Sequence, residues 1–214
     1  MSTTVERGTH YYSGSGGKPL MRETIANAVD RARQLGVRKL LVFTSDGEGP
    51  IMASDLTKDE EMKIVAVTFP AGRVFRDPQG NIVKLGLSDP GRKKELEERG
   101  IAVVQGTMPL QEIMTPGSRD TRLEAIVRTL GLISAGLPLC VEAVLMATDA
   151  GVVSAGEEII ASSADTAIVA TGALSHWLFH PEEGLDIREI ICKPRSRLRV
   201  HELSGGGNIK GESE

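Results

Sequence analysis

Apolar residues at positions 25, 28, 29, 32 and 35 recur at helical spacing, and Gly36 ends the run, which predicts a first amphipathic helix. A continuous apolar run at 39–44 follows and breaks into hydroxyls and glycines, Thr44-Ser45-Asp46-Gly47-Glu48-Gly49, before a short helix at 51–56. Residues 63–69 form a second apolar strand ending in Pro70-Ala71-Gly72. Polar and apolar residues then alternate over 73–85 around Asp77-Pro78-Gln79-Gly80, the pattern of a hairpin. Ser88-Asp89-Pro90 opens a charged helix through Arg99, with Pro90 suited to the first turn and Gly100 as the stop. A strand at 101–105 leads into an irregular loop at 106–119. A long helical region over 121–150 is broken near Gly136-Leu137-Pro138, and its second half carries Val141, Val144, Leu145 and Thr148 at helical spacing. The runs 158–161, 166–170 and 187–192 read as strands. Residues 1–19 have no settled period, although Tyr11 and Tyr12 suit a short edge strand, and the polar, glycine-rich 204–214 reads as a mobile tail.

This alternation of helix and strand predicts one three-layer α/β domain with a central, mainly parallel sheet, in which strands 39–44, 63–69 and 101–105 are adjacent and parallel. The expected division is a polar arm at 1–19, the α/β domain at 20–203 and the tail. Composition agrees: 40% of residues are hydrophobic but only 3% aromatic, so the core must be aliphatic, as in buried parallel sheets. A net charge of −4 with both signs interspersed does not suit a nucleic-acid binder. The one basic cluster, Lys193, Arg195, Arg197 and Arg199, alternates along an extended segment as a solvated face does. Cys140 and Cys192 lie in separate apolar runs and read as small buried hydrophobes in a reducing compartment. The start of the chain lacks the apolar stretch of a signal peptide, and the apolar run 130–150 is interrupted by Gly136, Pro138, Glu142 and Asp149. The expectation is a cytoplasmic protein without a membrane span.

In α/β sheets of this kind ligands bind beyond the carboxyl ends of the strands. Three predicted ends carry hydroxyls or small residues there: Thr44-Ser45, Thr68 and Gly106-Thr107. The loop after the first strand has the makings of a phosphate cradle, with Gly47 and Gly49 to let backbone N–H groups approach an anion and a helix start behind them. It reads equally as an ordinary strand-to-helix turn in which Thr44 and Ser45 cap. Asp46 and Glu48 would repel an anion unless they turn outward. Glu142, Met146 and Asp149 share one helix face, where the carboxylates either contact a ligand or satisfy neighbouring backbone donors. Asp165-Thr166 between two short strands faces a ligand or forms a turn. His176 and His180 have the four-residue spacing of helical zinc ligands but no marked third partner, so no metal site is assigned.

The order of elements is similar to that of the C-terminal domain of pyruvate kinase. Glu23-Thr24-Ile25-Ala26-Asn27-Ala28-Val29, Leu40-Leu41-Val42-Phe43-Thr44-Ser45 and Ile64-Val65-Ala66-Val67-Thr68 carry the likeness. The chain resembles more closely the stand-alone proteins of that domain type, through 140–151, Ala164-Asp165-Thr166-Ala167 and 187–194, over most of residues 20–195. That resemblance implies a flavin mononucleotide (FMN) or similar phosphate-bearing ligand at the strand ends, and no phosphoryl transfer from phosphoenolpyruvate. Thr44, Ser45, Gly47 and Gly49 would cradle the phosphate, Thr68 and Thr107 would line the cleft, and Glu142, Asp165 and Thr166 would contact the rest of the ligand. Two other readings stay open. One is a flavin-dependent or other small-molecule enzyme acting through Glu142 or Asp165. The other is an interaction or homo-oligomer-forming module that kept the fold and lost the ligand; Phe69 and Met108, where similar proteins carry histidine, point that way.

Overall fold

In the computed structural model, residues 8–14, 16–76, 81–111 and 121–196 are described, with the side chains of 75 and 76 left out. The apolar runs become the middle of a seven-stranded sheet, ordered β1-β9-β8-β7-β2-β3-β6. These strands are β1 (His10–Tyr12), β2 (Lys39–Thr44), β3 (Lys63–Thr68), β6 (Ala102–Gln105), β7 (Glu158–Ser162), β8 (Ala167–Thr171) and β9 (Ile187–Pro194). As expected, β2, β3 and β6 are adjacent and parallel, with Thr44 in register with Thr68 and Thr68 with Gln105. β7 continues parallel beside β2. β8 then runs antiparallel to both β7 and β9, and β1 joins β9 in parallel at the edge. A separate antiparallel ribbon of β4 (Val74–Arg76) and β5 (Ile82–Lys84) occupies the expected hairpin, whose tip lies outside the described residues, as do Arg197, Arg199 and the tail.

Among the described residues five α-helices cover the sheet. On one face lie α1 (Met21–Leu35), α2 (Glu48–Leu56) and α3 (Pro90–Glu98). α1 buries Ile25, Ala28, Val29 and Ala32, the stripe its periodicity marks, and ends where Gly36 turns left-handed at φ 69°. α3 begins at Asp89, whose carboxylate accepts the Gly91 N–H, with Pro90 in the first turn. On the other face α5 (Leu137–Asp149) packs Cys140, Ala143, Val144 and Ala147 onto β2, β7 and β8. α4 (Thr121–Ile133) lies outside α5, and none of its residues is fully buried. The break expected at Gly136-Leu137-Pro138 is the start of α5, where proline costs nothing because first-turn N–H groups have no helical partner. Both cysteines are buried and free. Among the described residues no helix is long and apolar enough to cross a membrane.

The chain runs β2, β3, β6 outward and then returns through α4 and α5 to β7 on the other side of β2. The strand order therefore reverses between β2 and β7. Connections diverge from the carboxyl ends of these two parallel strands, and in open α/β sheets this reversal marks the position of the ligand crevice.

Candidate functional site

One wall of that crevice is the loop from β2 to α2. Thr44 is buried and its Oγ1 accepts the Gly47 N–H at 2.9 Å, while its carbonyl accepts the Thr68 hydroxyl at 2.6 Å. The carboxylate of Asp46 turns back to accept the Glu48 N–H at 3.1 Å, at the amino end of α2. Lys18 Nζ closes the arrangement, 2.8 Å from Asp46 and 2.5 Å from Glu48. The loop thus already holds an oxyanion on a helix N-terminus beside an ammonium group, and that oxyanion is its own aspartate. The exposed Asp46 folds back onto its own loop, and Lys18 removes the repulsion that two acidic residues would otherwise create. The two carboxylates push the Lys18 ammonium up to about 12. Partial burial draws the Asp46 carboxyl upward, but Lys18, the Glu48 N–H and Thr44 together outweigh it and hold the group below its usual range.

The glycines have separate reasons to be there. Gly47 has φ 81°, and a Cβ on it would lie 2.8 Å from Arg92 Cγ. Gly49 lets α2 approach β2 closely, since its Cβ would lie 3.0 Å from Val42 Cγ1 and 3.4 Å from Met21 Sδ. Ser45 is exposed at the crevice mouth.

The opposite wall is the turn from β7 to β8. Asp165 and Thr166 are buried there. The Asp165 carboxylate accepts the Gly17 N–H and the Thr166 hydroxyl, each at 2.8 Å. Thr166 Oγ1 also meets the Ser134 hydroxyl, and Ser134 accepts the Gly136 N–H at 3.1 Å. Gly136 is pressed so closely on this cluster that a Cβ would lie 2.7 Å from Thr166 Oγ1, with Ser163 and Asp165 nearer still. Every polar atom of this buried group that the sequence singled out is satisfied.

The structure therefore sorts the nine sequence candidates into three places. Thr44, Ser45, Gly47, Gly49 and Thr68 stand together at the ends of β2 and β3, and Asp165 and Thr166 face them across the crevice. Gly17 and Lys18, from a segment with no periodicity to mark it, tie the two walls together. Thr107 is exposed and lies instead against the outer flank of α5, near Leu110. Glu142 is on that flank too, 1% exposed, with Oε1 accepting the Leu110 N–H at 3.1 Å and Oε2 without a hydrogen-bond partner among the described residues. Burial pushes its carboxyl up to about 7, against the opposing effects of the Leu110 N–H, Gln111 and Arg73. Asp149 accepts the Ser175 N–H at 3.0 Å and hydroxyl at 2.5 Å. Both α5 carboxylates thus satisfy neighbouring loops. Lys18, Ser134 and Gln105 are polar groups the sequence reading did not single out; Gln105 Nε2 donates to the Phe69 and Gly86 carbonyls. The only signal for Lys18 was its place beside Gly16-Gly17, where a backbone close to the sheet is sterically open.

Among the described residues no three His, Cys, Asp or Glu side chains converge as metal ligands. The family described as pyruvate kinase, alpha/beta domain, matches this chain over residues 22–172.

Proposed function

The chain belongs to the pyruvate kinase alpha/beta domain family, and on that premise we propose that it binds a phosphate-bearing small molecule in the crevice between β2 and β7, with FMN as the leading candidate. The observation that carries this reading is the internal anion. Asp46 rests on the Glu48 N–H with Lys18 beside it, which is the donor set a phosphate would use. In the bound state the phosphate takes the place of the Asp46 carboxylate, and the exposed Ser45 hydroxyl adds a donor. This donor set fits the phosphate end of FMN. Thr68 and Thr166 support the walls through their hydrogen bonds to Thr44 and Asp165. A binding role is favoured over a catalytic one because Asp165 has both oxygens engaged and Glu142 is sealed under Leu110, away from the crevice.

The test is a titration of the purified protein with FMN, following flavin fluorescence, together with thermal unfolding. Binding changes the fluorescence and raises the melting temperature by mass action. Stabilisation by sugar phosphates without any flavin effect would reassign the ligand, and no response to either would refute the proposal.

A further inference from the structure

A cleft of about 720 Å³ opens on the outer flank of α5, remote from the crevice. α5 fixes the separation. Its amino end is packed against Ser163 and Thr166 at the strand carboxyl ends, while its last residue, Asp149, bonds Ser175 beyond the opposite edge. The volume lies within the roughly 300–1,000 Å³ typical of small-molecule sites. Its floor is aliphatic, with Leu110, Ile126 and Leu145, and its far wall is the turn carrying Trp177 and His180. The space explains why α4, whose apolar residues keep helical spacing, has no fully buried residue: its stripe borders the cleft as well as α5.

The wall is preformed. His180 N–H bonds the Trp177 carbonyl at 2.8 Å, Gly184 N–H the His180 carbonyl at 3.0 Å, and Leu185 N–H the Leu178 carbonyl at 3.2 Å. The Trp177 ring stands edge-on between the His176 and His180 rings, each 4.9 Å away, yet it remains 40% exposed. His180 Nδ1 accepts the Glu182 and Glu183 N–H groups at 3.3 and 3.1 Å, so the neutral ring carries its proton on Nε2. Neither this Nε2–H nor the Trp177 indole N–H has an acceptor among the described residues. The acid of the lining, Asp149, is already covered by two donors from Ser175. The His180 Nε2–H and the Trp177 indole N–H are therefore two open donors on this turn, above an apolar floor and beside an exposed aromatic wall.

We infer that this cleft is a second binding site, for a planar aromatic molecule bearing a hydrogen-bond acceptor such as a carboxylate. The ring lies against Leu123, Ile126 and Trp177, and the acceptor takes the His180 Nε2–H. This inference is independent of the phosphate-site proposal.

Trp177 is the chain's single tryptophan, so its fluorescence and its indole NMR signal report on the cleft directly. The probe is 2-naphthoate, with decahydro-2-naphthoate as the non-planar control. Saturable perturbation of both signals at one equivalent is expected, with the control severalfold weaker because it cannot stack. His180→Asn keeps an acceptor for the turn amides but removes the Nε2–H, and should weaken naphthoate about fivefold. Ile126→Arg and Leu123→Arg, each verified as folded by circular dichroism, should abolish binding, whereas Thr44→Val with Ser45→Ala should leave it unchanged. Non-saturable perturbation, equal affinity for the two acids, or undiminished binding by both folded arginine variants would overturn the assignment.

Discussion

Replacing Glu142 by glutamine should change how stability depends on pH. The carboxyl is buried, with one oxygen on the Leu110 N–H and the other without a hydrogen-bond partner among the described residues, and burial raises its value from 4.5 to about 7 on folding. The folded state therefore resists ionisation. Below pH 4.5 the group is neutral in both states and the stability associated with its neutral form is fully present. As pH rises from 4.5 the unfolded chain ionises first, and stability falls until the folded form ionises at about 7. A shift from 4.5 to about 7 corresponds to about 3 kcal/mol at 1.36 kcal/mol per unit, of which roughly 2–3 kcal/mol is lost between pH 5 and pH 8. Glutamine keeps the acceptor for Leu110 and cannot ionise. Urea unfolding of both proteins across this range should show the stability of Glu142→Gln relative to wild type growing by about 2–3 kcal/mol, with other titrating groups cancelling in the difference. Arg73 is the charged group that acts on this carboxyl, so Arg73→Met should steepen the wild-type loss. A difference that stays flat from pH 5 to pH 8 would refute the reasoning, because it would mean the carboxyl is ionised and solvated in the native protein.

The crevice yields further expectations. Thr44→Val with Ser45→Ala should weaken FMN binding by more than about tenfold in the fluorescence titration, since hydrogen bonds to charged groups contribute about 1.5–3 kcal/mol. Because Thr44 also holds the Gly47 N–H, the pair should lower stability by about 1 kcal/mol in urea. Asp46→Asn should leave FMN affinity unchanged or raise it, and Lys18→Ala should lower it; the opposite order would mean that the contact there is cationic. Gly136→Ala should destabilise by about 1–3 kcal/mol by forcing a methyl into the Ser163–Thr166 cluster. Gly131→Ala, in α4 with open space around it, should stabilise by about 0.5–1 kcal/mol, and equal effects at the two glycines would contradict the packing described.

The legible part of the fold was the part whose physics is local. β2 and β3 are buried on both faces, so they appear as unbroken apolar runs whatever else the chain does. The start of α5 was legible because Gly136 and Pro138 interrupt helical spacing. The antiparallel course of β8 was not read, since a strand buried on both faces carries the same pattern in either direction. Its signal lay in the connection: the four residues between Ser162 and Ala167 are too few for a parallel crossover. The candidate site divided on the same line. Thr44, Gly47 and Thr68 could be placed at strand ends from their own surroundings. Lys18 and Ser134 reach the crevice walls from segments far away in sequence, and neither had a local pattern to announce it. Glu142 and Asp149 were correctly paired on one face of α5, but which neighbouring loop each would satisfy depended on the return of the chain after β6 and β8.

Self-capping changes what a ligand must do here. A phosphate cannot simply add to the crevice, because the Glu48 N–H and the Lys18 ammonium already serve Asp46. It must displace a carboxylate that the loop tethers two residues from the amide it occupies, so the apparent affinity is the intrinsic affinity reduced by the fraction of molecules in which Asp46 has swung away. The exchange also reaches the other wall. Lys18 follows directly on Gly17, whose N–H is held by Asp165, so a lysine that moves with an incoming phosphate pulls on that hydrogen bond and, through Thr166 and Ser134, on the start of α5. The acidic residues that look misplaced in a phosphate loop are, on this account, what couples occupancy of the loop to the position of residues 16–18. The coupling has a direct consequence: in Asp46→Asn, where no charge has to leave, ligand binding should perturb Gly17 and Asp165 less than it does in the wild-type protein.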